Sequence, residues 1–321
     1  MHFHIFHHTD FDGIMSTVLF IHGLRLQGGR FNYFTTSPVN YSDKWLSTDL
    51  STLVPDYTDM IAVLDFPYHP QTHYWFDHHE SGIGTEYIHK AKYQGIFNPK
   101  ALSCCQLIYD AFVDLQQDEV MTRLVQEVNM IDAALYPNPV SIYEGVSFGI
   151  KFRLALLSKK SNGLYEELIN LFTEDKTSLV KLTKYNVLPD ILDYRYMKTK
   201  QKLEYSFAVF KDIVTIHNGL AIYDTVQYDK LFFDRYFAYY LDPDVKYTVY
   251  ITKTSDKAFS VAVSRNPWMN ESHRLVPVNE ICMKYGGGGH PGAGGVYCKT
   301  YEDAQLIQKH IITYFVENNL I

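Results

Sequence analysis

The sequence has few of the features that mark secreted, membrane-bound or disulfide-rich proteins. Its 321 residues include four cysteines, Cys104, Cys105, Cys282 and Cys298, and no pair has Cys-x-x-Cys spacing. A disulfide framework or a thiolate zinc site is therefore not expected. No apolar run approaches the roughly 18 residues of a spanning helix, and the N-terminal stretch lacks the basic start and apolar centre of a signal peptide. We expect a soluble protein of the reducing cytoplasm, with no membrane partner.

An excess of positive charge is also missing. Lysine and arginine total 29 against 36 acidic residues, which gives a net charge of −7. No global positive field therefore draws the protein onto long duplex nucleic acid, although a local basic groove remains compatible with this charge. The stretch "YRYMKTKQK" at residues 194–202 interleaves aromatic and basic side chains. This pattern is more typical of a solvated helix than of a nucleic-acid patch.

The pattern of apolar residues predicts an α/β fold with two domains. The chain is 46% hydrophobic and longer than one compact unit usually is. In the N-terminal half, strand-like and helix-like runs alternate, which favours a mostly parallel sheet flanked by helices. Short strands and a closing helix after residue 207 predict a smaller C-terminal α/β domain. The predicted divisions are a domain at 1–185, a helical linker at 186–206 and a second domain at 207–321.

Histidine is concentrated where the first domain begins, with ten of fourteen in the first 90 residues. In "HHTDFDG", His8, Asp10 and Asp12 alternate, so an extended chain points them to one face. Singly, each is as readily a strand-end histidine or a helix N-cap. Together they suggest a metal site, because three polar groups facing one way would otherwise be desolvated without a partner.

Further polar residues end two other predicted strands. Asp65 closes "IAVLD", and the next strand ends in Asp77, His78 and His79. If the three strands are neighbours in a parallel sheet, their carboxyl ends meet at one edge. Asp132, in an apolar helical stretch, offers one more ligand.

This ligand set is rich in oxygen, includes imidazoles and has no thiolate, which suits Mn²⁺ or Mg²⁺ better than structural zinc. Carboxylates crowded in one site repel each other, so more than one cation is expected. A pair of cations is the arrangement that serves in-line attack on phosphorus.

A glycine-rich segment, "YGGGGHPGAGG", lies at residues 285–295. Glycines let a backbone approach a ligand closely and present successive N–H groups to phosphate oxygens. The segment is not a Walker loop, because no Lys-Ser/Thr follows it. We expect phosphate binding by Gly286, Gly287, Gly288, Gly289 and His290, with a plain flexible loop as the alternative.

These segments resemble a known family. In chain order, "HTDFDG", "AVLDF", "FDHHESG" and "NMIDAA" are similar to the four motifs of the DHH phosphoesterase superfamily, and "GGGGH" is similar to the signature of the DHH-associated C-terminal domain. The resemblance spans nearly the whole chain. The chain departs from the family pattern at Ala293-Gly294, where two alanines are usual, and at Ser264-Arg265, where the order is usually reversed.

The resemblance implies a two-domain hydrolase with two Mn²⁺ ions, or Mg²⁺ or Co²⁺, in a cleft between the domains. By motif, His8 and Asp10 would hold the first ion, with Asp65 bridging to the second. The second ion would be held by Asp12, His78 and Asp132.

The remaining motif residues would position the substrate. Asp77 would orient the adjacent histidine, and His79 would face the substrate phosphate. Arg265, which resembles the family's phosphate-binding arginine, would act with His290 and the glycines.

Within the superfamily, the length and the acidic charge most resemble nanoRNase/pAp phosphatases. The predicted reaction is attack by a metal-bridged hydroxide on short oligonucleotides or pAp-type nucleotides. Alternatives are a cyclic or linear dinucleotide phosphodiesterase, a RecJ-like single-strand exonuclease, or a catalytically inactive nucleic-acid-binding relative. Whether the chain forms a homodimer is left open.

Overall fold

The structure is a computed structural model. It describes residues 1–28, 33–40, 44–79, 93–144, 147–158, 163–228, 230–254, 258–269 and 275–321, and for His290 the backbone alone. Two sequence predictions lie outside these residues: a turn at Ser81-Gly82, and the start of the strand that "RFNYFTTS" predicts from Arg30. The chain divides into one unit made of Met1–Tyr136 and Gly145–Met197 and another made of Pro137–Glu144 and Lys198–Ile321.

Eleven strands form two separate sheets among the described residues. The first unit contains β1 (His2–His8), β2 (Tyr33–Val39), β3 (Met60–Leu64), β4 (Tyr74–Asp77) and β5 (Gln94–Phe97). The second unit contains β6 (Thr215–His217), β7 (Leu220–Asp224), β8 (Tyr247–Lys253), β9 (Phe259–Arg265), β10 (Gly288–His290) and β11 (Ala293–Cys298).

The described helices number eleven. They are α1 (Phe11–Leu26), α2 (Cys104–Ala111), α3 (Glu119–Asp132), α4 (Pro139–Tyr143), α5 (Phe148–Leu156), α6 (Leu164–Glu174), α7 (Lys176–Tyr185), α8 (Asp190–Ile213), α9 (Phe237–Leu241), α10 (Val278–Met283) and α11 (Tyr301–Glu317). None of them combines the length and the apolar character needed to cross a bilayer, within the part of the chain that is described.

The first sheet has the order β2-β1-β3-β4-β5, and every pair in it is parallel. Both faces are buried, as expected for a parallel sheet covered on two sides. Phe3 packs on Phe20 of α1 on one face. Phe6 packs on Trp45 on the other. The predicted parallel α/β domain is confirmed.

The second sheet has the order β10-β11-β9-β8-β7-β6 and is mixed. β7 and β8 are parallel, whereas the other neighbours are antiparallel. Helix α11 packs on this sheet through Ile311 and Phe315, and Phe315 contacts Tyr247 of β8. The predicted second α/β fold is therefore also present.

Helix α8 is longer than the sequence analysis predicted. Short β-rich segments were expected from about Phe207, but the helix continues to Ile213. Its buried face follows helical spacing through Leu192, Tyr196 and Leu203, while Tyr194 is 70% exposed. The aromatic and basic stretch is thus part of a half-solvated helix, as favoured above.

Candidate metal centre

The candidate site lies at the carboxyl edge of the first sheet. In the strand register, His7 of β1 pairs with Leu64 of β3, and Leu64 pairs with Phe76 of β4. The residues that follow these positions therefore emerge side by side. The expectation that the three strands are neighbours is confirmed, and the ligand candidates fall into three groups whose atoms lie within 4.8 Å of one another.

The first group contains His8, Asp10 and Asp65. The Nδ1 atom of His8 lies 2.8 Å from Oδ2 of Asp10 and 3.6 Å from Oδ2 of Asp65. One imidazole nitrogen therefore faces carboxylates from two different loops.

The sequence analysis predicted an extended segment with alternating side chains for "HHTDFDG". In the structure, the chain changes from strand to helix within this segment. The strand ends at His8 and the helix begins at Phe11, so Asp10 is the N-cap and accepts the N–H of Gly13 at 2.9 Å. Asp12 lies in the first turn of the helix and is not the cap. Gly13 is required by space, because an added Cβ would lie 2.3 Å from the backbone oxygen of His8.

The second group contains Asp12, His78 and Asp132. The Nε2 atom of His78 lies 3.6 Å from Oδ2 of Asp12 and 3.2 Å from Oδ2 of Asp132. Residues from the start of α1, the end of β4 and the end of α3 therefore converge on one point.

Asp12 is positioned by a helix N-terminus that the sequence analysis did not connect with the site. Its carboxylate accepts the backbone N–H groups of Cys104 at 2.6 Å and Cys105 at 2.9 Å, at the start of α2. Such N–H groups favour a negative charge. Ser103, the N-cap of α2, was the available signal. All four cysteines are free and buried.

Asp65 lies between the two groups. Its Oδ2 atom faces His8, and its Oδ1 atom is 3.6 Å from Nε2 of His78. The side chain is completely buried, and neither oxygen has a hydrogen-bond partner among the described residues. Its φ of 57° is in the left-handed region, which Asp adopts more readily than most residues but which stores strain.

Asp77 fixes the two histidines that follow it. Its Oδ1 atom accepts the backbone N–H of His78 at 2.8 Å and the Nδ1–H of His79 at 2.9 Å. The carboxylate therefore orients the ring of His79 directly. His78 is oriented by another contact that sequence reasoning missed, between its Nδ1 atom and the backbone oxygen of Ala101 at 3.2 Å. That contact turns Nε2 toward the carboxylates.

His79 also belongs to the third group, with Asp65 and His78. Its Nδ1 atom lies 3.6 Å from Oδ1 of Asp65. The ring is 28% exposed, more than the rings of His8 and His78, so it is the imidazole of the site most accessible to solvent.

The carboxylates perturb one another strongly. Burial, reinforced by Asp132, raises the pKa of Asp12 to about 7, and burial together with Asp12 and Asp10 raises the pKa of Asp65 well above its usual range. Burial opposes charge on His78, but its contacts with Asp132 and Asp65 outweigh burial and raise its pKa to about 11. In the same way Asp10 outweighs burial and raises the pKa of His8.

These groups fit divalent cations. Within the described part of the chain, the two buried oxygens of Asp65 lack hydrogen-bond donors. Carboxylates that repel each other are accommodated when positive ions lie between them. The donors are oxygen and imidazole nitrogen, which suits Mn²⁺ or Mg²⁺. The acidic set that the sequence analysis assembled is thus brought together in one place.

The glycine-rich segment forms a hairpin in the second unit instead of an open loop. Gly288 and Gly289 lie in β10, which pairs with β11. Gly287 is required by packing, because an added Cβ would lie 2.2 Å from the backbone oxygen of Gly295. Gly288 borders open space.

Arg265 belongs to the same sheet as this hairpin. It ends β9, whose Ser264 pairs with Ala293 of β11. Its backbone N–H donates to the oxygen of Gly292 at 3.0 Å, and its guanidinium donates to the oxygen of Leu275 at 3.2 Å. Arg265 therefore lies beside the Pro291-Gly292 turn of the hairpin.

Comparisons with known proteins identify the fold. No protein-family model matches the sequence, and no curated protein matches it. Among solved structures, the pGpG-specific phosphodiesterase PggH from Vibrio cholerae superposes with a TM-score of 0.72, at 17% identity over 99% of both chains.

Two further structures share the architecture. A DHH domain described as belonging to a member of a family of ribosomal proteins has a TM-score of 0.58, at 13% identity over 97% of this chain and 86% of its own. An exopolyphosphatase-related protein from Bacteroides fragilis has a TM-score of 0.50, at 12% identity over 98% and 92%. This chain has the fold of DHH-domain proteins, as its motifs implied.

Proposed function

We propose that this chain, which has the fold of DHH-domain proteins, is a metal-dependent phosphoesterase that hydrolyses phosphodiester bonds in short linear oligonucleotides. One observation carries the proposal: the completely buried Asp65 directs one oxygen toward His8 and the other toward His78. A carboxylate in that position is suited to bridge two cations.

We assign the ligands to two cations according to the groups described above. His8 and Asp10 would hold one, and Asp12, His78 and Asp132 would hold the other, with Asp65 contributing to both. When bound, Mn²⁺ ions or their Mg²⁺ or Co²⁺ equivalents neutralise charge on the substrate phosphate and lower the pKa of water.

The side chains around these ligands orient the substrate. Asp77 holds Nδ1 of His79 and so fixes the orientation of the ring, which would face the substrate phosphate. In hydrolysis, water oxygen bonds to phosphorus, the P–O bond to the leaving nucleoside breaks, and a proton passes to the leaving oxygen. Arg265, His290 and residues Gly286–Gly289 are proposed to bind a further phosphate, where bidentate contact by a guanidinium stabilises negative charge.

Short linear substrates are favoured by two considerations. The net charge of −7 does not attract a long polyanion. PggH, which spans the whole of this chain, is described as pGpG-specific. Linear dinucleotides are therefore our first choice, with pAp, cyclic dinucleotides and longer single strands as the alternatives.

The test is a hydrolysis panel with purified protein and Mn²⁺, Mg²⁺ or Co²⁺. The substrates are pGpG, pApA, pAp, a cyclic dinucleotide and a single strand of about twenty nucleotides. We expect mononucleotides from linear dinucleotides at a rate above all other substrates. An absence of turnover across the panel with each metal contradicts the proposal and favours a non-catalytic binding protein.

A matched pair of variants ties the activity to the site. Asp65→Asn keeps the size of the side chain and removes its charge, whereas Asp56→Asn makes the same change at an exposed position. We expect at least about a thousandfold loss of rate for Asp65→Asn, comparable with the loss of a major electrostatic group. Asp56→Asn should retain wild-type rates.

A further inference from the structure

A short segment at residues 101–105 supports two ligands of the second group. The backbone oxygen of Ala101 lies 3.2 Å from Nδ1 of His78, and the first two N–H groups of α2 donate to Asp12. The third ligand, Asp132, is the last residue of α3. The position of Asp132 relative to the other two ligands therefore depends on how the end of α3 is held against the start of α2.

A hydrogen bond between Ser103 and Asn129 joins these two helix ends. The hydroxyl of Ser103, the N-cap of α2, donates to Oδ1 of Asn129 at 2.6 Å. Asn129 lies in the last turn of α3, three residues before Asp132, so the two side chains share one side of the helix. Ser103 is completely buried, and water therefore competes little for its hydroxyl.

Gln106 fixes the geometry of this bond. Its backbone N–H donates to Oγ of Ser103 at 3.0 Å, and its Oε1 atom accepts Nδ2–H of Asn129 at 2.7 Å. With the bond from Ser103 to Asn129, these contacts form a closed ring of three hydrogen bonds among three residues. Both ends of the Asn129 amide are therefore engaged at the start of α2, which holds its side chain in one orientation.

We propose that Ser103 and Asn129 are positioning residues for the second cation. Their hydrogen bond sets where Asp132 lies relative to the other two ligands of its group, and residues that orient ligands in this way strongly affect metal affinity. The inference rests on the proposed function, because it takes the second group to be a cation site. His8 and Asp10, which belong to the first group alone, come from β1 and the start of α1. The first cation should therefore be little affected.

A second hydrogen bond joins the same two helices at their other ends and provides a matched control. The hydroxyl groups of Tyr109, near the end of α2, and Thr122, in the first turn of α3, lie 2.8 Å apart. Thr122 precedes Asp132 by roughly 15 Å of helix. A bond that only held the helices together would have the same effect at either end, whereas a positioning bond acts only beside Asp132.

The experiment is calorimetric titration of the full-length, metal-free protein with Mn²⁺, with the second site identified by its loss in Asp132→Asn. We expect Asn129→Ala to weaken the second site about tenfold or more and to leave the first within about twofold of the wild type. Tyr109→Phe should leave both sites within about twofold. Both variants should lower the melting temperature of the metal-free protein by a few degrees, because each removes hydrogen bonding between the helices.

Two further measurements separate positioning from other roles. Ser103→Ala should also weaken the second site, and the double variant Ser103→Ala, Asn129→Ala should lie within about threefold of the weaker single variant, because both changes break one bond. In Asn129→Ala, the Mn²⁺ concentration for half-maximal hydrolysis should rise about tenfold, while the rate at saturating Mn²⁺ stays within about threefold of the wild type. A residue that contacted the substrate would lower the saturated rate instead.

Three results would overturn the positioning role: an unaltered second site in Asn129→Ala and Ser103→Ala, equal weakening of both sites, or the same weakening in Tyr109→Phe. A wild-type protein that binds no Mn²⁺ would overturn both this role and the proposed function. A protein that hydrolyses nothing, yet has two sites of which Asn129→Ala weakens only the second, would overturn the proposed function alone. The two failures are therefore distinguishable.

Discussion

The Nε2 atom of His78 lies 3.2 Å from Oδ2 of Asp132, although one residue follows a strand and the other ends a helix. This contact closes the second ligand group. Asp12 completes that group from the first turn of α1 and is held by the N-terminus of α2. Strands and helices that are separate in the chain thus meet at one edge of the sheet.

Asp132→Asn should remove one cation from the protein and leave the other. Its carboxylate belongs to the second group alone, so the first group keeps all of its ligands. Calorimetric titration with Mn²⁺ is expected to give two sites in the wild type and one tight site in Asp132→Asn. Asp110→Asn, a helical aspartate outside the three groups, should keep both sites. Two unaltered sites in Asp132→Asn would contradict the assignment of this residue.

Asp65→Asn should stabilise the metal-free protein while abolishing its activity. The pKa of Asp65 is raised in the folded state, chiefly by burial and then by Asp12 and Asp10. Above the unfolded pKa, ionising this group therefore opposes folding, so removing the charge at pH 7 should add on the order of 1 kcal/mol or more to the free energy of unfolding. Urea denaturation in the presence of a chelator measures this. A destabilised Asp65→Asn protein would argue against the repulsion described here.

Stability should fall as the pH is lowered through the range in which His4 titrates. Burial, with smaller contributions from His2 and His7, lowers the pKa of His4 to about 4, and its ring contacts the hydroxyls of Thr35 and Ser37. The unfolded chain therefore binds a proton near pH 6.5 that the folded chain does not. The free energy of unfolding should decline between about pH 6.5 and pH 4, by up to about 1.4 kcal/mol per pH unit from this residue.

Replacing His4 tests whether this residue causes the loss of stability at low pH. His4→Gln should make the decline between pH 6.5 and pH 4 in urea denaturation shallower without removing it, because burial also lowers the pKa of His7. His217→Gln, at an exposed position, should leave the slope unchanged. An identical slope in wild type and His4→Gln would show that other groups control the acid sensitivity.

Neighbouring glycines in the hairpin should differ in their tolerance of alanine. An added Cβ at Gly287 would lie 2.2 Å from the oxygen of Gly295, whereas one at Gly288 meets nothing within 4 Å. Gly287→Ala should lower the melting temperature by several degrees, consistent with a loss of about 1–3 kcal/mol from overpacking. Gly288→Ala should melt near the wild type. Equal melting temperatures would contradict the packing role of Gly287.

Much of the site was predictable because the ends of the strands can be recognised in the sequence. Apolar runs ending in Asp65 and in Asp77 mark buried parallel strands, and the topology of such sheets brings their carboxyl ends together. The allocation of Asp10 and Asp12 was harder. It depends on where the chain changes from strand to helix, and a helix that began two residues later would make Asp12 the cap.

Other features depended on contacts that are distant in the chain. Asp12 is held by backbone N–H groups at Cys104 and Cys105. The N-cap Ser103 marks the start of that helix in the sequence but does not show that it approaches Asp12. The length of α8 was underestimated because the short apolar run at residues 207–210 is compatible with either helix or strand.

The central claim is that Asp65 lies between two divalent cations. Anomalous diffraction from crystals of the Mn²⁺-loaded protein tests it most directly. The account predicts two manganese peaks on either side of Asp65, one beside His8 and Asp10 and the other beside His78 and Asp132. A single peak, or peaks away from these side chains, would contradict it.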